Sequence, residues 1–217
     1  MSVITKLEIQ KKNKERANVY LDGDYAFSVD IMVAAGLQKG QQLSDVEIEV
    51  MKDEDAVSRA VDRAVRYLAY RPRSTAEVRR NLADKQTPEA VIEAAVERLN
   101  RMGYLDDQSF ARFWVDNRNQ FKPLSERALR YELRQKGVPD SVIASALDDL
   151  DANDAAYRAA QSRVRSYRQK TRTEFRNKMS AFLQRRGFNF DVIRETVEQL
   201  IAEIETEDTE FFISDEE

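Results

Sequence analysis

The feature that most constrains this chain is an internal repeat with a period of about fifty residues. Setting Ser74 on Ser125 brings Leu82 onto Leu133, Lys85 onto Lys136 and Pro88 onto Pro139. In the same frame Val91-Ile92 falls on Val142-Ile143, Ala95 on Ala146 and Leu99 on Leu150, with no gap. A second shift of similar size brings Leu133 onto Leu183, Gly137 onto Gly187, Val142-Ile143 onto Val192-Ile193 and Leu150 onto Leu200. The matched positions are apolar at helical spacing, so each copy buries the same face in a small core of its own. Three copies, each with room for three helices, predict a mainly α protein built as three tandem three-helix repeats in an elongated, curved body. The first copy carries Gln86-Thr87 where the others carry glycine, so its helix end is built differently.

Local signals agree with the repeat. Ser44 with Glu47, and Ser74 with Glu77, have capping-box spacing. Val57, Ala60, Val61, Ala64, Val65 and Leu68 follow the rhythm of an amphipathic helix that Pro72 ends. Ahead of them the period is two. Val3 to Gln10 alternates, with Val3, Thr5, Leu7 and Ile9 on one side. Asn18–Leu21 and Tyr25–Val29 flank Asp22-Gly23, a hairpin signal because a type I′ turn needs positive φ at both central residues. A small three-stranded antiparallel sheet is expected there. The organisation reads as a β-rich domain over 1–43, repeats over 44–103, 104–150 and 151–205, and an acidic tail over 206–217, expected to be disordered.

Catalytic chemistry finds little to work with. The chain has no histidine and no cysteine, which removes the commonest general base, the commonest metal ligand and every thiolate. It holds no phosphate loop, dinucleotide fingerprint or nucleophile elbow. Asp106-Asp107 follow Gly103-Tyr104-Leu105 and open a helical run, so they read as caps rather than cation ligands. The expectation is a protein that is not an enzyme, with no cofactor and no metal. No apolar run approaches the roughly 20 residues a membrane span needs, and Met1–Gln10 lacks a signal-peptide core. Both point to the cytoplasm.

Binding is the better lead, because the net charge of −4 hides a strong asymmetry. Residues 151–190 hold ten Lys and Arg against three Asp and Glu, whereas residues 191–217 hold one against eleven. Three basic clusters stand out. Arg66, Arg71 and Arg73 sit at a helix junction of copy one. Arg127, Arg130, Arg134 and Lys136 lie in copy two, the three arginines on one helical face. Arg163 and Arg168 lead the third, which runs on through Arg172 and Arg176. The planar fork of arginine pairs bidentately with phosphate and carboxylate. These nine residues are the expected contacts for an anionic partner, while Tyr104 and Phe110 are expected to pack a junction between repeats. The acidic tail, with Phe211, Phe212 and Ile213 inside it, has the opposite charge and would compete with such a partner if it folded over copy three.

Three motifs then resemble one family. Arg71-x-Arg73-Ser74 followed by Glu77, Val78 and Leu82 is similar to the opening "R-x-R-S-x-x-E-L" of RecX regulatory proteins. Gly103-Tyr104-Leu105-Asp106-Asp107 with Phe110-Ala111 resembles their second segment, and Glu132-Leu133-x-x-Lys136-Gly137-Val138 their third. The resemblance covers about residues 56–205. It implies three three-helix modules that lodge in the groove of a RecA–DNA filament. It also implies inhibition of strand exchange, filament growth, ATPase and co-protease activity in DNA repair and the SOS response. The expected partners are the RecA filament and single-stranded DNA, met directly or through the filament, by a monomer. A RecA-independent DNA-binding repeat protein is the alternative. Copy one departs from the pattern in lacking a glycine after Lys85, and the acidic tail is no part of it.

Overall fold

In the computed structural model, which describes residues 1–214, the chain begins with strands. β1 (Ser2–Ile9), β2 (Arg16–Leu21) and β3 (Asp24–Asp30) pair antiparallel. Asp22 and Gly23 turn the β2–β3 hairpin at φ of 54° and 103°. Three strands prove one too few. After a short helix α1 (Ile31–Ala35), β4 (Gln42–Leu43) pairs with β1 and completes the order β3-β2-β1-β4. Two residues carry no periodicity, so β4 leaves no mark in the sequence. The simple alternation of β1 is also corrected. Ile4 is fully buried, Leu7 packs on the same core, and Ile9 is exposed. The register shifts between Ile4 and Lys6, leaving Thr5 as the extra residue of a bulge. Its Oγ1 donates to the Tyr20 carbonyl at 3.2 Å and accepts from the Gly23 amide at 3.0 Å. A single inserted residue moves later side chains to the other face, which is how Leu7 comes to share a side with Ile4.

α2 (Asp45–Leu68) serves two cores. Near its start, Ile48 and Met51 cover the inner face of the sheet beside Ile4, Val19, Phe27, Val29 and Leu43. Further on, Val57, Ala60, Val61 and Ala64 pack with Val78 and Leu82 of α3 (Thr75–Ala83) and with Ile92 and Leu99 of α4 (Glu89–Arg101). Both expected capping boxes form, at Ser44/Glu47 and Ser74/Glu77. Residues Met1–Leu105 make one compact unit.

A second unit runs from Asp106. In its first module α5 (Asp107–Phe121), α6 (Glu126–Gln135) and α7 (Asp140–Leu147) enclose Phe110, Val115, Leu129, Leu133 and Ile143. Asp106 caps α5, as the sequence suggests, accepting from the amides of Gln108 and Ser109 at 2.9 and 3.1 Å. In its second module α8 (Ala152–Val164) is followed by α9 (Arg172–Arg185) and α10 (Phe190–Glu207). Four fully buried alanines, Ala155, Ala156, Ala159 and Ala160, face Phe175, Met179, Leu183 and Leu200. Small side chains on α8 let the larger ones fill the space between backbones at ordinary density. The two modules meet where the Ser125 amide donates to the Arg186 carbonyl at 3.2 Å and Arg186 Nη1 donates to the Pro123 carbonyl at 2.8 Å.

The aligned leucines mark one recurring device. The amides of Thr87, Val138 and Phe188 donate to the carbonyls of Leu82, Leu133 and Leu183 at 3.3, 3.1 and 3.3 Å. Each such helix end needs a left-handed residue, supplied by Gln86, Gly137 and Gly187 at φ of 58°, 75° and 89°. Copy one thus uses the same turn as the others with a residue that resists it.

The expectation of disorder from residue 206 is overturned for the described part. Thr206 and Glu207 complete α10, and Phe211 is 5% exposed. Phe212 stacks edge-on against Phe175 with centroids 5.3 Å apart. The Gln169 amide donates to the Phe211 carbonyl at 3.0 Å, and the Ile213 amide donates to the Lys170 carbonyl at 3.2 Å. Charge density suggests a solvated tail, but two adjacent aromatic rings find a core within a few residues of the helix end. Residues 215–217 of that expected tail lie outside the described residues.

Two substitutions test the turn. Gln86→Gly should stabilise the protein by about 1 kcal/mol in urea unfolding, since it relieves a left-handed side chain. Gly187→Ala should destabilise by about 1–3 kcal/mol, since its Cβ would lie 2.6 Å from Ser125 Oγ, the cap of α6.

Candidate functional site

The expected contacts divide between the units: Arg66, Arg71 and Arg73 in the first, the other six in the second. Arg66 is exposed in the last turn of α2, with no acidic partner among the described residues. Arg71 and Arg73 turn inward. Arg71 Nη2 lies 2.8 Å from Glu77 Oε1, and Arg73 Nη1 lies 3.9 Å from the same oxygen. Arg73 also lies over the Tyr67 ring at 4.0 Å and is 16% exposed. Glu77 meanwhile accepts from the Ser74 amide, closing the cap of α3. This motif is therefore chiefly a clasp on a helix start. A carboxylate in a capping box faces the positive end of the helix, and the two guanidinium groups hold it there.

In copy two, Arg127 is exposed at the start of α6 with no acidic partner among the described residues. Arg130 donates to Glu126 at 2.7 Å, and Arg134 Nε to Asp140 at 2.7 Å. The Arg134 hydrogen bond holds the Asp140 carboxyl below its usual range and raises the guanidinium in turn. Lys136 lies over the Trp114 ring at 4.9 Å, and Arg118 over the same ring at 4.5 Å. Trp114 Nε1 and Arg118 Nε both donate to Glu132 Oε2 at 2.8 Å. Glu132, through its hydrogen bonds, and Lys136, through its ring contact, thus frame a tryptophan that sequence reasoning missed. The available signal was a lone Trp four residues before an arginine on one helix face. Phe110 belongs to the core of its own module, and Tyr104 is 48% exposed, which corrects the expectation that this pair packs a junction.

Copy three is the most basic and the most answered. Arg163 and Arg186 lie over the Phe182 ring at 5.4 and 4.7 Å. Burial first, and the charge of Arg163 second, lower the pKa of Arg186, though guanidinium stays protonated in proteins. Arg168 pairs with Asp208 and lies 5.7 Å from the Phe211 ring centroid. Its hydrogen bond holds the Asp208 carboxyl below the usual range, so this pairing persists at neutral pH and is lost only as pH falls through that depressed value. Arg172 and Arg176 face Glu205 and Glu198 at 3.6 and 2.9 Å. The acidic helix α10 and the segment after it therefore screen the cations of α9, as opposite charge suggests. Exposed pairs of this kind contribute little each and exchange readily.

Among the described residues no group of acidic side chains is arranged to hold a metal, and no helix is long and apolar enough to cross a membrane. What the arrangement offers is a set of arginines, some committed to intramolecular acids and some free for an anionic partner.

Comparison with known proteins places this arrangement. Residues 2–44 match the regulatory protein RecX N-terminal domain, and residues 54–99, 106–147 and 150–197 match the first, second and third three-helix domains of RecX. The regulatory protein RecX of Bacillus subtilis (strain 168) is 38% identical over 97% of this chain and 81% of its own length. That of Clostridium botulinum (strain Eklund 17B / Type B) is 31% identical over 93% of this chain and 97% of its own. A crystal structure of a regulatory protein RecX superposes with a TM-score of 0.72 at 29% identity, covering 92% of this chain and all of the other. With four consecutive domains matched in order, the chain belongs to the RecX family of regulatory proteins.

Proposed function

We propose that this protein regulates a RecA-type recombinase by binding its filament on DNA, chiefly restraining strand exchange, ATP hydrolysis and co-protease activity. It would do so in the cytoplasm, as a monomer, in DNA repair and the SOS response, and without a catalytic step of its own. One observation carries the reading: Arg66, Arg127 and Arg163, spread over the three modules, are exposed and have no acidic partner among the described residues. Such side chains cost little to bring onto a charged groove, since no internal ion pair has to break. Arg71 and Arg73 in the first unit, and Arg130, Arg134, Lys136 and Arg168 in the second, contribute through what each holds in place in its own module. A second reading, DNA binding independent of RecA, draws on the basic face of α9 and needs the α10 acids to yield.

The test is titration into the single-stranded-DNA-dependent ATPase and strand exchange of RecA. The parent should inhibit below a one-to-one ratio. Arg66→Glu/Arg127→Glu/Arg163→Glu should raise the half-inhibitory concentration at least about tenfold, equivalent to about 1.4 kcal/mol. No effect of the parent on RecA, with salt-sensitive DNA binding intact, would favour the second reading. Truncation after Glu207 removes Asp208 and the two phenylalanines and should tighten oligonucleotide binding several-fold. Unchanged binding would show that the acidic segment does not compete with DNA.

A further inference from the structure

The candidate contacts leave out the face of α2 that runs ahead of Arg66. Lys52, Arg59, Arg63 and Arg66 recur at intervals of seven, four and three residues, which a helix of 3.6 residues per turn sets in one row. Two cavities open along this row, and Arg59 lines both. The first, about 490 Å³, lies between the sheet and α2 and is lined by Arg16, Tyr25, Ser28, Lys52, Asp55 and Arg59 among others. The second, about 140 Å³, lies between α2 and the α3–α4 turn, where Arg59 and Arg63 meet Lys85, Gln86 and Thr87. The strained left-handed Gln86 therefore sits on the wall of a basic cavity.

Charge along Lys52–Arg66 is balanced in number, with Asp53, Glu54, Asp55 and Asp62 against the four cations, but not in pairing. Asp55 accepts from Arg16 at 2.9 Å and lies 3.6 Å from Arg59, with its own side chain 10% exposed, so its charge is spent. Lys52 pairs with Glu49 at 2.9 Å on an open surface. Arg63, Arg66 and Lys85 have no acidic partner among the described residues, and Arg63 Nη1 donates only to the Thr87 hydroxyl, at 3.3 Å. At the sheet end stands Tyr25, 58% exposed, held edge-on to Tyr20 at 6.0 Å and hydrogen-bonded through its hydroxyl to Ser28 at 3.0 Å.

We propose that this row is a track for single-stranded nucleic acid, with phosphates on Arg59, Arg63 and Lys85 and a base stacked on Tyr25. Arg63 and Lys85, which have no acidic partner among the described residues, gain most from a polyanion, whose condensed counterions they release, while Arg59 shares Asp55 with Arg16 and keeps an exposed side chain. An oriented, exposed ring accepts any base and has no use for an acidic peptide. From Lys52 to Arg66 the helix rises about 21 Å, room for several nucleotides of a single strand. The track lies wholly in the first unit and needs no recombinase, so it stands or falls apart from the regulatory reading.

The experiment measures fluorescence anisotropy of a labelled oligothymidylate with the full chain and no recombinase, across a salt series. Arg59→Glu/Arg63→Glu/Lys85→Glu should weaken binding at least about tenfold and flatten the salt slope by about 2, at roughly 0.7 per lost phosphate contact. Tyr25→Ala should weaken it about fivefold with the slope unchanged. Lys39→Glu, exposed and off the row, should bind as the parent does. Should circular dichroism show the triple variant unfolded, Arg63→Gln/Lys85→Gln takes its place, with the slope falling by about 1.4. The proposal is overturned by a parent that does not bind, by variants that bind as the parent does, or by polyglutamate displacing the oligonucleotide as well as unlabelled oligothymidylate does.

Discussion

A module of about fifty residues can bury few side chains, and the rest of this structure follows from that limit. The four cores hold between nine and fifteen buried residues each, so none has the reserve of a large domain. Specification then falls to local devices. Each second helix starts on a hydroxyl cap, at Ser74, Ser125 and Thr171, and ends on a left-handed residue that turns the chain toward the third helix. Where a core is thin, neighbours add to it. The sheet closes on α2, and the second and third modules join through Ser125, Arg186 and Gly187.

The same economy governs charge. Arginine is plentiful in all three copies, but its availability differs. In copy one two guanidinium groups converge on Glu77 and secure a helix start. In copy two Glu132 collects a tryptophan and an arginine. In copy three the excess cations are answered from α10 and from Asp208. Composition therefore overstates how much positive surface a partner can meet, and the free positions are those whose guanidinium groups pair with no carboxylate among the described residues.

Much of the fold could be read from the sequence because its signals were periodic or local. The fifty-residue repeat, the capping boxes and the Asp22-Gly23 hairpin depend on neighbours within a few residues. The bulge at Thr5 and the strand at Gln42 do not, because pairing across the sheet decides them. The tail misled for a related reason. Its acidic residues suggest solvation, and only the position of Phe175 in space shows that Phe211 and Phe212 have somewhere to go. The candidate contacts were legible as residue types but not as roles. Spacing reveals that Arg71 lies near a helix start; it does not reveal that Glu77 reaches back to hold it.

The length of α2 has a further consequence, for how such a chain can evolve. One helix carries both the lid of the sheet, at Ile48 and Met51, and the first wall of the helical module, from Val57 onward. The two are phased on a single screw. Adding or removing one residue between them would rotate one face by about 100° against the other and pull one core out of alignment. Changes of three or four residues come close to a whole turn, and seven restore the phase almost fully. Insertions in this stretch should therefore survive in steps of a helical turn.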